Sequence, residues 1–331
     1  MTLILNAKDV ERCTDMAAIV NAIEAAVLDE STGRVIQPER LNVVHPDAAM
    51  RIMPVMMPGV GVYGFKVFGH AHGVWRYLIA VYDANNGDLL TLADGSYLTA
   101  VRTGAATGVA TKWLARPDVR SVGVIGSGLE SRTNLRAVLA ARPGITHVRV
   151  FSPHADRRTA FAHDMSAELG IDVTPVNSPQ EAVAGVDVVN IATFIPVSDQ
   201  MRLAYRGAWV EPGQHVNAIG STGTNLREMD PEVFARADLL VADAAWEQLE
   251  RESGDVIAAI QANSLDRSRV AMLKDVVAGR ISRPGPAAVT LYKSVGTGLQ
   301  DVAAAHEVYI RARELGLGTA VPDFPVPRRL G

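Results

Sequence analysis

Residues 121–138 read SVGVIGSGLESRTNLRAV, and this stretch decides the fold. An apolar, strand-like run leads into Gly126 and Gly128, and a helical pattern begins directly afterwards. In a G-x-G-x-x-G loop the first glycine permits a tight turn and the second admits a pyrophosphate, while the third position needs only a small residue. Ser131 is small, so the strand–loop–helix order predicts a dinucleotide phosphate at the helix N-terminus.

Beyond this loop, strand-like and helical runs alternate. THVRVFSP, IDVTPV, DVVNIAT, GQHVNAIG and ADLLVAD have the pattern of strands, and HADRRTAFAHDMSAELG and PQEAVAGV have the pattern of helices. Alternation of this kind predicts a parallel, doubly wound α/β sheet. The end of the chain predicts one more strand and a long helix in AVTLYKSVGTGLQDVAAAHEVYIRARELGLG, followed by an extended tail in PDFPVPRRLG.

The chain before Pro117 has a different pattern. A first strand is predicted at the N-terminus, and residues 14–29 predict a helix that Thr14 or Asp15 caps. The runs RLNVVHP, GVYGFKVFG, WRYLIAVYD and GDLLTLAD are strand-like and separated by turn residues. Together they predict a mixed, mostly antiparallel sheet with a helix on it, followed by a long helix in SYLTAVRTGAATGVATKWLA.

Composition excludes several classes of function. The chain has 331 residues, 48% of them hydrophobic, and a formal net charge of −4, so no basic footprint for nucleic acid is present. No uncharged apolar stretch is long enough to span a membrane. Cys13 is the single cysteine, which excludes a disulfide framework and a thiolate zinc site and predicts a cytoplasmic protein. His70 and His72 have no evident third ligand, so no metal is expected.

The residues after the second Rossmann-type strand bear on the choice of dinucleotide. NAD-binding chains usually carry an acidic residue there for the ribose 2′-hydroxyl. This chain has Ser152, with Arg157 and Arg158 close behind, and a hydroxyl with guanidinium groups suits a 2′-phosphate better. We therefore favour NADP(H) over NAD(H), with the alternative that both arginines only solvate a helix start.

Three cations stand in or beside apolar stretches of the first part of the chain. They are Arg40, Lys66 and Arg102. A buried cation is costly unless it is paired. A surface position is the simple reading of each residue by itself, but the three together predict a shared anionic ligand, such as a carboxylate. A desolvated lysine can also exchange a proton near neutral pH.

These features occur within a larger ordered set of motifs. VIQPERL, GFKVF, LADGSYLTAVRTGAATGVATKWLA, VGVIGSGLE, HVNAIGS, ESGDV and LYKSVGTGLQD follow one another between about residues 14 and 316. The chain thereby resembles the ornithine cyclodeaminase/mu-crystallin family. The resemblance implies a homodimer with a Rossmann domain at 116–295. A second, α+β domain, formed by 1–115 with 296–331, would serve dimerisation and substrate binding.

The resemblance also assigns roles to residues. Lys66 and Arg102 are expected to be catalytic, and they would bind the substrate together with Arg40 and Thr222. The residues expected to bind the cofactor are Thr103, Gly126, Ser127, Gly128, Leu129, Glu130, Ser152, Arg157, Thr193, Ser221 and Lys293.

One departure from the family pattern separates its activities. The cyclodeaminases carry an aspartate in the turn after NAIG, where this chain has Ser221 and Thr222, and the next acidic residue is Glu228. The chain thus resembles the imine-reductase branch, which predicts NAD(P)H-dependent reduction of the C=N bond of a small imino acid to an α-amino acid, or the reverse. The alternatives are an NAD-dependent cyclodeaminase of ornithine or a related diamino acid, and a non-catalytic protein that binds a small ligand or nucleotide.

Overall fold

The computed structural model describes residues 1–199 and 203–326. The chain divides into two compact units. Unit 1 comprises Met1–Arg102 and the chain from Thr297, and unit 2 comprises Thr103–Gly296. The sequence predicted a boundary after residue 115, at the end of a helix, whereas the observed boundary falls inside that helix. Its second half packs within unit 2, where the backbone at Gly104 closely approaches Thr133. The roles assigned to the two domains stay predictions.

Unit 1 is a sheet with helices. Its strands are β1 (Thr2–Leu5), β2 (Leu41–His45), β3 (Ala48–Met57), β4 (Val62–Ala71), β5 (Val74–Asp83), β6 (Leu89–Asp94) and β15 (Thr319–Val321). Its helices are α1 (Ala7–Cys13), α2 (Met16–Glu30), the start of α3 (Ser96–Leu114) and α11 (Gly298–Leu315). Within the described residues the strand order is β15-β1-β6-β5-β4-β3-β2, and only the β1–β6 pair is parallel.

Local sequence signals account for the ends of the helices in unit 1. Asn6 caps α1, because its side chain accepts hydrogen bonds from the amides of Lys8 and Asp9. Asp15 caps α2 in the same way, through the amide of Ala18. Gly316 ends α11 in the left-handed conformation, with φ of 63°, which glycine adopts without a Cβ penalty.

Unit 2 alternates strands and helices. Its strands are β7 (Ser121–Ile125), β8 (His147–Phe151), β9 (Asp172–Pro175), β10 (Val188–Ile191), β11 (His215–Ala218), β12 (Leu239–Ala242), β13 (Val270–Met272) and β14 (Thr290–Lys293). Besides the end of α3, its helices are α4 (Leu129–Ala141), α5 (Ala155–Leu169), α6 (Pro179–Val183), α7 (Pro231–Arg236), α8 (Trp246–Glu252), α9 (Gly254–Gln261) and α10 (Leu273–Val277).

The sheet of unit 2 is parallel throughout its described pairs, in the order β13-β12-β14-β11-β10-β7-β8-β9. Val188 belongs to one hydrophobic cluster and Val189 to another. Neighbouring residues on a strand point to opposite faces, so both faces of this sheet are covered, as a parallel sheet requires. The strand order reverses direction between β7 and β10, and such a switch point is where open α/β sheets bind ligands.

The predicted fold class is confirmed: a doubly wound parallel sheet accompanies a second, mixed sheet. Three elements of unit 1 differ from the predictions. β3 was missed because Pro54 interrupts its pattern, and residues 7–13 form α1 in addition to the predicted first strand. The short strand β15, which pairs with β1, was also missed. The predicted extended tail lies partly outside the described residues, which end at 326. Among the helices of the described residues, none is both long enough and apolar enough to cross a membrane.

Candidate functional site

Two predicted catalytic residues of unit 1 meet on one carboxylate. Nζ of Lys66, on β4, lies 2.9 Å from Oδ1 of Asp301, on α11. Nε of Arg102, on α3, lies 2.9 Å from the same oxygen. The side chains of Lys66, Arg102 and Asp301 are 2%, 8% and 0% exposed. Two cations against one carboxylate leave one excess positive charge in a buried place when all three groups are ionised, so the cluster favours an anion.

The N-terminus of α11 brings the carboxylate to this position. Gly298 lies so close to β3 that a Cβ there would be 2.7 Å from the carbonyl oxygen of Met53. Met53 is paired with Lys66 across the strands, so the first turn of α11 lies above Lys66. Gln300 adds a side-chain contact, because its Oε1 accepts a hydrogen bond of 2.7 Å from Arg102. A residue larger than glycine at 298 would push Asp301 away from both cations.

The environment of Lys66 makes its ammonium group unusually acidic. Burial lowers the pKa of Lys66 to about 8, although the Asp301 carboxylate opposes the shift. The charges of Arg102 and Arg40 lower the same pKa further. Arg40 is partly buried just before β2. Unit 1 thus brings Lys66 and Arg102 together, with Arg40 close enough to act on Lys66, and the group is equipped to bind an anion and to give up a proton near neutral pH.

The glycine loop of unit 2 has the shape that a dinucleotide phosphate needs. Gly126 has φ of 116°, and a Cβ there would be 2.3 Å from the carbonyl oxygen of Ala192. Gly128 is the N-cap of α4 and makes no side-chain cap; apart from its chain neighbours, no atom of the described residues lies within 4 Å of the place where its Cβ would stand. The helix start is therefore open to a pyrophosphate, and Ser127, Leu129 and Glu130 belong to the same turn.

Two more predicted cofactor residues lie near this loop. The hydroxyl of Ser127 donates to the hydroxyl of Ser152 at 2.9 Å, which joins the loop to the end of β8. Thr103 is buried in α3 beside Gly104, where a Cβ would be 2.5 Å from the carbonyl oxygen of Thr133 on α4. Ser152 and Thr103 thus flank the loop and its helix.

The arginines after β8 differ from each other. Arg158 donates to the carbonyl oxygen of Ser152 at 3.1 Å and to the side chain of Asn177 at 2.9 Å, so it supports the strand end. Arg157, in the first turn of α5, is exposed. It is therefore Arg157 that is accessible to a ligand.

A second buried charge cluster ties strand ends together in unit 2. Both oxygens of Glu228 accept hydrogen bonds: one from the amide and hydroxyl of Thr193, the other from the amides of Gly220 and Ser221. Asp255 accepts from the amide of Glu228 at 2.7 Å and lies 3.4 Å from Nζ of Lys293. Burial and the Asp255 carboxylate raise the pKa of Glu228 to about 7 against the effects of Lys293 and of the hydrogen bonds from Thr193. The cluster fixes the carboxyl ends of β10, β11 and β14.

Ser221, Thr222 and Lys293, three predicted site residues in or next to this cluster, have different environments. The hydroxyl of Ser221 donates to the carbonyl oxygen of Leu226 and accepts from the amide of Asp255, so it serves the turn itself. Lys293 donates to the carbonyl oxygen of Ala218 and is 2% exposed. Thr222 is exposed. Thr222 is thus accessible, whereas Ser221 and Lys293 support the strand ends.

The motifs of both units occur together along one chain, and a family model describes this combination. The model of the ornithine cyclodeaminase/mu-crystallin family matches residues 1–316. The chain belongs to this family. The predicted resemblance is therefore confirmed.

Three solved structures resemble this chain over nearly its whole length. The Thermococcus litoralis Δ1-pyrroline-2-carboxylate reductase in complex with NADH and L-proline is 32% identical, with a TM-score of 0.88 over 96% of this chain and 100% of that one. The Paracoccus denitrificans iminosuccinate reductase in complex with NAD+ is 26% identical, with a TM-score of 0.86 over 96% and 98%. An archaeal alanine dehydrogenase dimer with bound NAD is 27% identical, with a TM-score of 0.87 over 98% and 99%.

Sequence reasoning missed three members of the two clusters: Asp301, Gln300 and Asp255. The signal was present, because LYKSVGTGLQD ends in Gln300 and Asp301, and ESGDV contains Asp255. The sequence around an acidic residue does not show whether its carboxylate pairs with a buried cation, because the partner lies far away along the chain.

A separate open groove of about 520 Å³ on unit 1, lined by Pro54, Tyr63 and Tyr82 among others, includes none of the predicted site residues.

Proposed function

We propose that this chain is an NAD(P)H-dependent reductase that acts on the C=N bond of a small imino acid and forms an α-amino acid. The observation that carries the proposal is the pair of buried cations, Lys66 and Arg102, on one oxygen of Asp301. An imino acid supplies what this cluster lacks: a carboxylate to balance the excess positive charge and a basic nitrogen to accept a proton. The reductases among the relatives support the same activity.

Arg102 and Arg40 bind the substrate carboxylate in this proposal. A guanidinium offers paired donors that match a carboxylate. Asp301 and Gln300 hold Arg102 from the protein side, so its orientation is fixed before the substrate arrives. Preorganised donors of this kind lower the entropic cost of placing the reacting carbon. Thr222 is proposed as a further substrate contact, since its side chain is exposed at the end of β11.

Lys66 supplies the proton. Its ammonium group, with a pKa near 8, is protonated at neutral pH and gives up its proton more readily than an exposed lysine. A bound reduced nicotinamide supplies the hydride that the imine carbon accepts. Transfer of the proton from Lys66 to the imine nitrogen completes the amine, and a proton from solvent restores the lysine. The reverse reaction begins with loss of the amine proton to neutral Lys66.

The cofactor is proposed to bind at the loop of Gly126 and Gly128, with the pyrophosphate on the first turn of α4. Ser152 and Arg157 are proposed to meet the adenosine ribose. The exposed guanidinium of Arg157 and the lack of an acidic residue at the end of β8 favour NADP(H) over NAD(H). The relatives described above contain NADH or NAD+, so the coarser assignment, a nicotinamide dinucleotide, has independent support.

The structure gives no support to the cyclodeaminase alternative. The cyclodeaminases carry an aspartate in the turn after NAIG, and the matching residue here, Thr222, cannot exchange a proton near neutral pH. Glu228 is not a substitute, because both of its oxygens accept hydrogen bonds from Thr193, Gly220 and Ser221.

We also propose that the protein is a homodimer, as the archaeal relative is a dimer, and that it is located in the cytoplasm.

The test is a survey of cofactor oxidation. The purified protein is incubated with NADPH or NADH and a panel of linear and cyclic imines, and the absorbance of the reduced nicotinamide is followed. Oxidation with at least one imine is expected. Ammonia release from a diamino acid without net cofactor oxidation would instead indicate a cyclodeaminase, and dinucleotide binding without any turnover would indicate a binding protein.

A further inference from the structure

Two neighbouring rows of side chains lie on one face of the unit 1 sheet. The first crosses β3, β4 and β5 as Met53, Lys66 and Ile79. The second crosses the same strands as Arg51, Phe68 and Tyr77. Residues two apart on a strand point to the same face, about 7 Å from each other. Arg51 is therefore one row away from the Lys66 cluster and on the same side of the sheet.

Arg51 is a cation without an anionic partner in the described part of the chain. It is partly buried, and its Nε donates a hydrogen bond of 2.6 Å to Oδ1 of Asn42 on β2. Among the residues that the structure describes, no carboxylate pairs with its guanidinium, in contrast to Arg102, which pairs with Asp301. Its terminal amino groups form no other hydrogen bond in the same described region. A guanidinium held through Nε presents these groups to a second anion.

An aromatic ring joins the two rows. Cζ of Arg51 lies 5.6 Å from the ring centroid of Phe68, and Nζ of Lys66 lies 5.1 Å from the same centroid. Tyr77 stacks on this ring at 5.1 Å with an interplanar angle of 9°. The ring is thus fixed, and it keeps both cations close without neutralising either. The two distances limit the separation of the cations to about 11 Å.

We propose that Arg51 binds a second acidic group of the substrate, so that the substrates are short imino acids with an acidic side chain. This inference rests on the proposed function, in which Lys66 gives its proton to the imine nitrogen. A nitrogen and a side-chain carboxylate joined by two or three carbons, with a hydrogen bond of about 2.8 Å at each end, span the distance between Lys66 and Arg51. A side-chain ammonium group, as in a diamino acid, is repelled by Arg51.

Steady-state rates with matched imines test the proposal. Imines formed from ammonia with oxaloacetate or 2-oxoglutarate are compared with those from pyruvate or 2-oxobutyrate. We expect kcat/KM to be higher for the dicarboxylates, and Arg51→Met to lower this preference roughly 10- to 100-fold, the effect of losing charge-assisted hydrogen bonds. Arg51→Lys restores part of it. Arg76→Met is the matched control, because Arg76 pairs with Gly69 on β4, points to the other face of the sheet and is exposed.

Equilibrium binding of the amino-acid products gives a readout that does not need turnover. With oxidised cofactor present, L-aspartate or L-glutamate should bind more tightly than L-alanine, and Arg51→Met should remove the difference. An equal loss for mono- and dicarboxylates in Arg51→Met, or a wild type that prefers monocarboxylates, would overturn the role of Arg51 while leaving imine reduction intact. A wild type that reduces no imine yet discriminates the products through Arg51 would reject the proposed reaction and keep the subsite.

Discussion

Nζ of Lys66 and Nε of Arg102 each lie 2.9 Å from the same oxygen, Oδ1 of Asp301. The other carboxylate oxygen is buried and has no hydrogen bond among the described residues. One carboxylate thus fixes both cations while leaving the cluster positively charged. This arrangement is what the proposed chemistry requires, because a fully neutralised cluster would not attract a substrate carboxylate.

Asp301→Asn tests the role of this shared oxygen. Removal of the carboxylate takes away the group that raises the pKa of Lys66, while Arg102 continues to lower it. The pH at which kcat/KM declines should therefore shift from about 8 in the wild type to a lower value. The unfolding free energy should fall by about 3–5 kcal/mol, because two buried cations lose their partner. Measured pH–rate profiles and urea unfolding check both effects, and Asp88→Asn, at an exposed site, should change neither.

The two glycines of the dinucleotide loop should behave differently. Gly128→Ala places a methyl group that, its chain neighbours aside, meets no atom of the described chain within 4 Å, so the melting temperature should stay close to that of the wild type. The same methyl group stands where a pyrophosphate approaches, so the dissociation constants of dinucleotides should rise at least about 10-fold. Gly126→Ala should instead destabilise the fold, since its Cβ would be 2.3 Å from the carbonyl oxygen of Ala192 and its φ is 116°. Normal cofactor binding by a folded Gly128→Ala would place the pyrophosphate elsewhere.

The choice of cofactor should depend on Arg157. If its exposed guanidinium binds a 2′-phosphate, Arg157→Ala should weaken NADPH binding about 5- to 10-fold and leave NADH binding nearly unchanged. Fluorescence titration with both cofactors measures the two constants. Arg236→Ala, on α7, is the control because Arg236 is also exposed and pairs with Glu232. Equal weakening of both cofactors, or no effect on either, would remove Arg157 from cofactor selection.

Acid should destabilise unit 2 through His215. Burial lowers the pKa of this imidazole to about 3, and its ring nitrogens meet the hydroxyl of Thr290 and the side-chain oxygen of Asn217 at 2.9 and 3.0 Å. Its folded pKa is below its unfolded value of 6.5, so its contribution to stability is present above that pH and is lost as the pH falls towards 3. The loss approaches about 1.4 kcal/mol per pH unit below the unfolded pKa.

Urea unfolding at several pH values between 4 and 7 measures this slope. His215→Gln should reduce the slope relative to the wild type, because the variant has no imidazole to protonate on unfolding. His147→Gln removes a histidine whose side chain is 69% exposed, and its slope should match that of the wild type. Equal slopes for the wild type and His215→Gln would show that His215 is protonated in the folded state.

Sequence patterns predicted the parts of the fold whose signals are local. The alternation of strand-like and helical runs after the loop of Gly126 and Gly128 predicted the parallel sheet, and the spacing of apolar residues after Asp15 predicted α2. β3 escaped prediction because a strand with Pro54 is recognised only by its pairing with β2 and β4. The same strand carries Arg51, so the row that suggests an acidic substrate was invisible in the sequence.

In the candidate site, too, the residues with a local signal could be predicted and those that depend on distant contacts could not. Lys66 and Arg102 could be predicted, since a cation in an apolar run carries its own signal. Asp301 lies 235 residues beyond Lys66, and only the packing of Gly298 against β3 brings them together. Glu228 was noticed for its charge, but its role as an acceptor for the strand ends depends on four donors that meet only in the folded chain.

The rate of NAD(P)H oxidation with an imino acid, compared between the wild type and Lys66→Met, tests the central claim most directly. Met is about as long as Lys and keeps an apolar stem, but it has no group that can carry the proton. The dinucleotide affinity, measured together with the rate, verifies that unit 2 is intact. Lys8→Met, at an exposed position, serves as the control. The account predicts that Lys66→Met lowers kcat at least about 100-fold at neutral pH while dinucleotides still bind. Full activity in a folded Lys66→Met protein would contradict it.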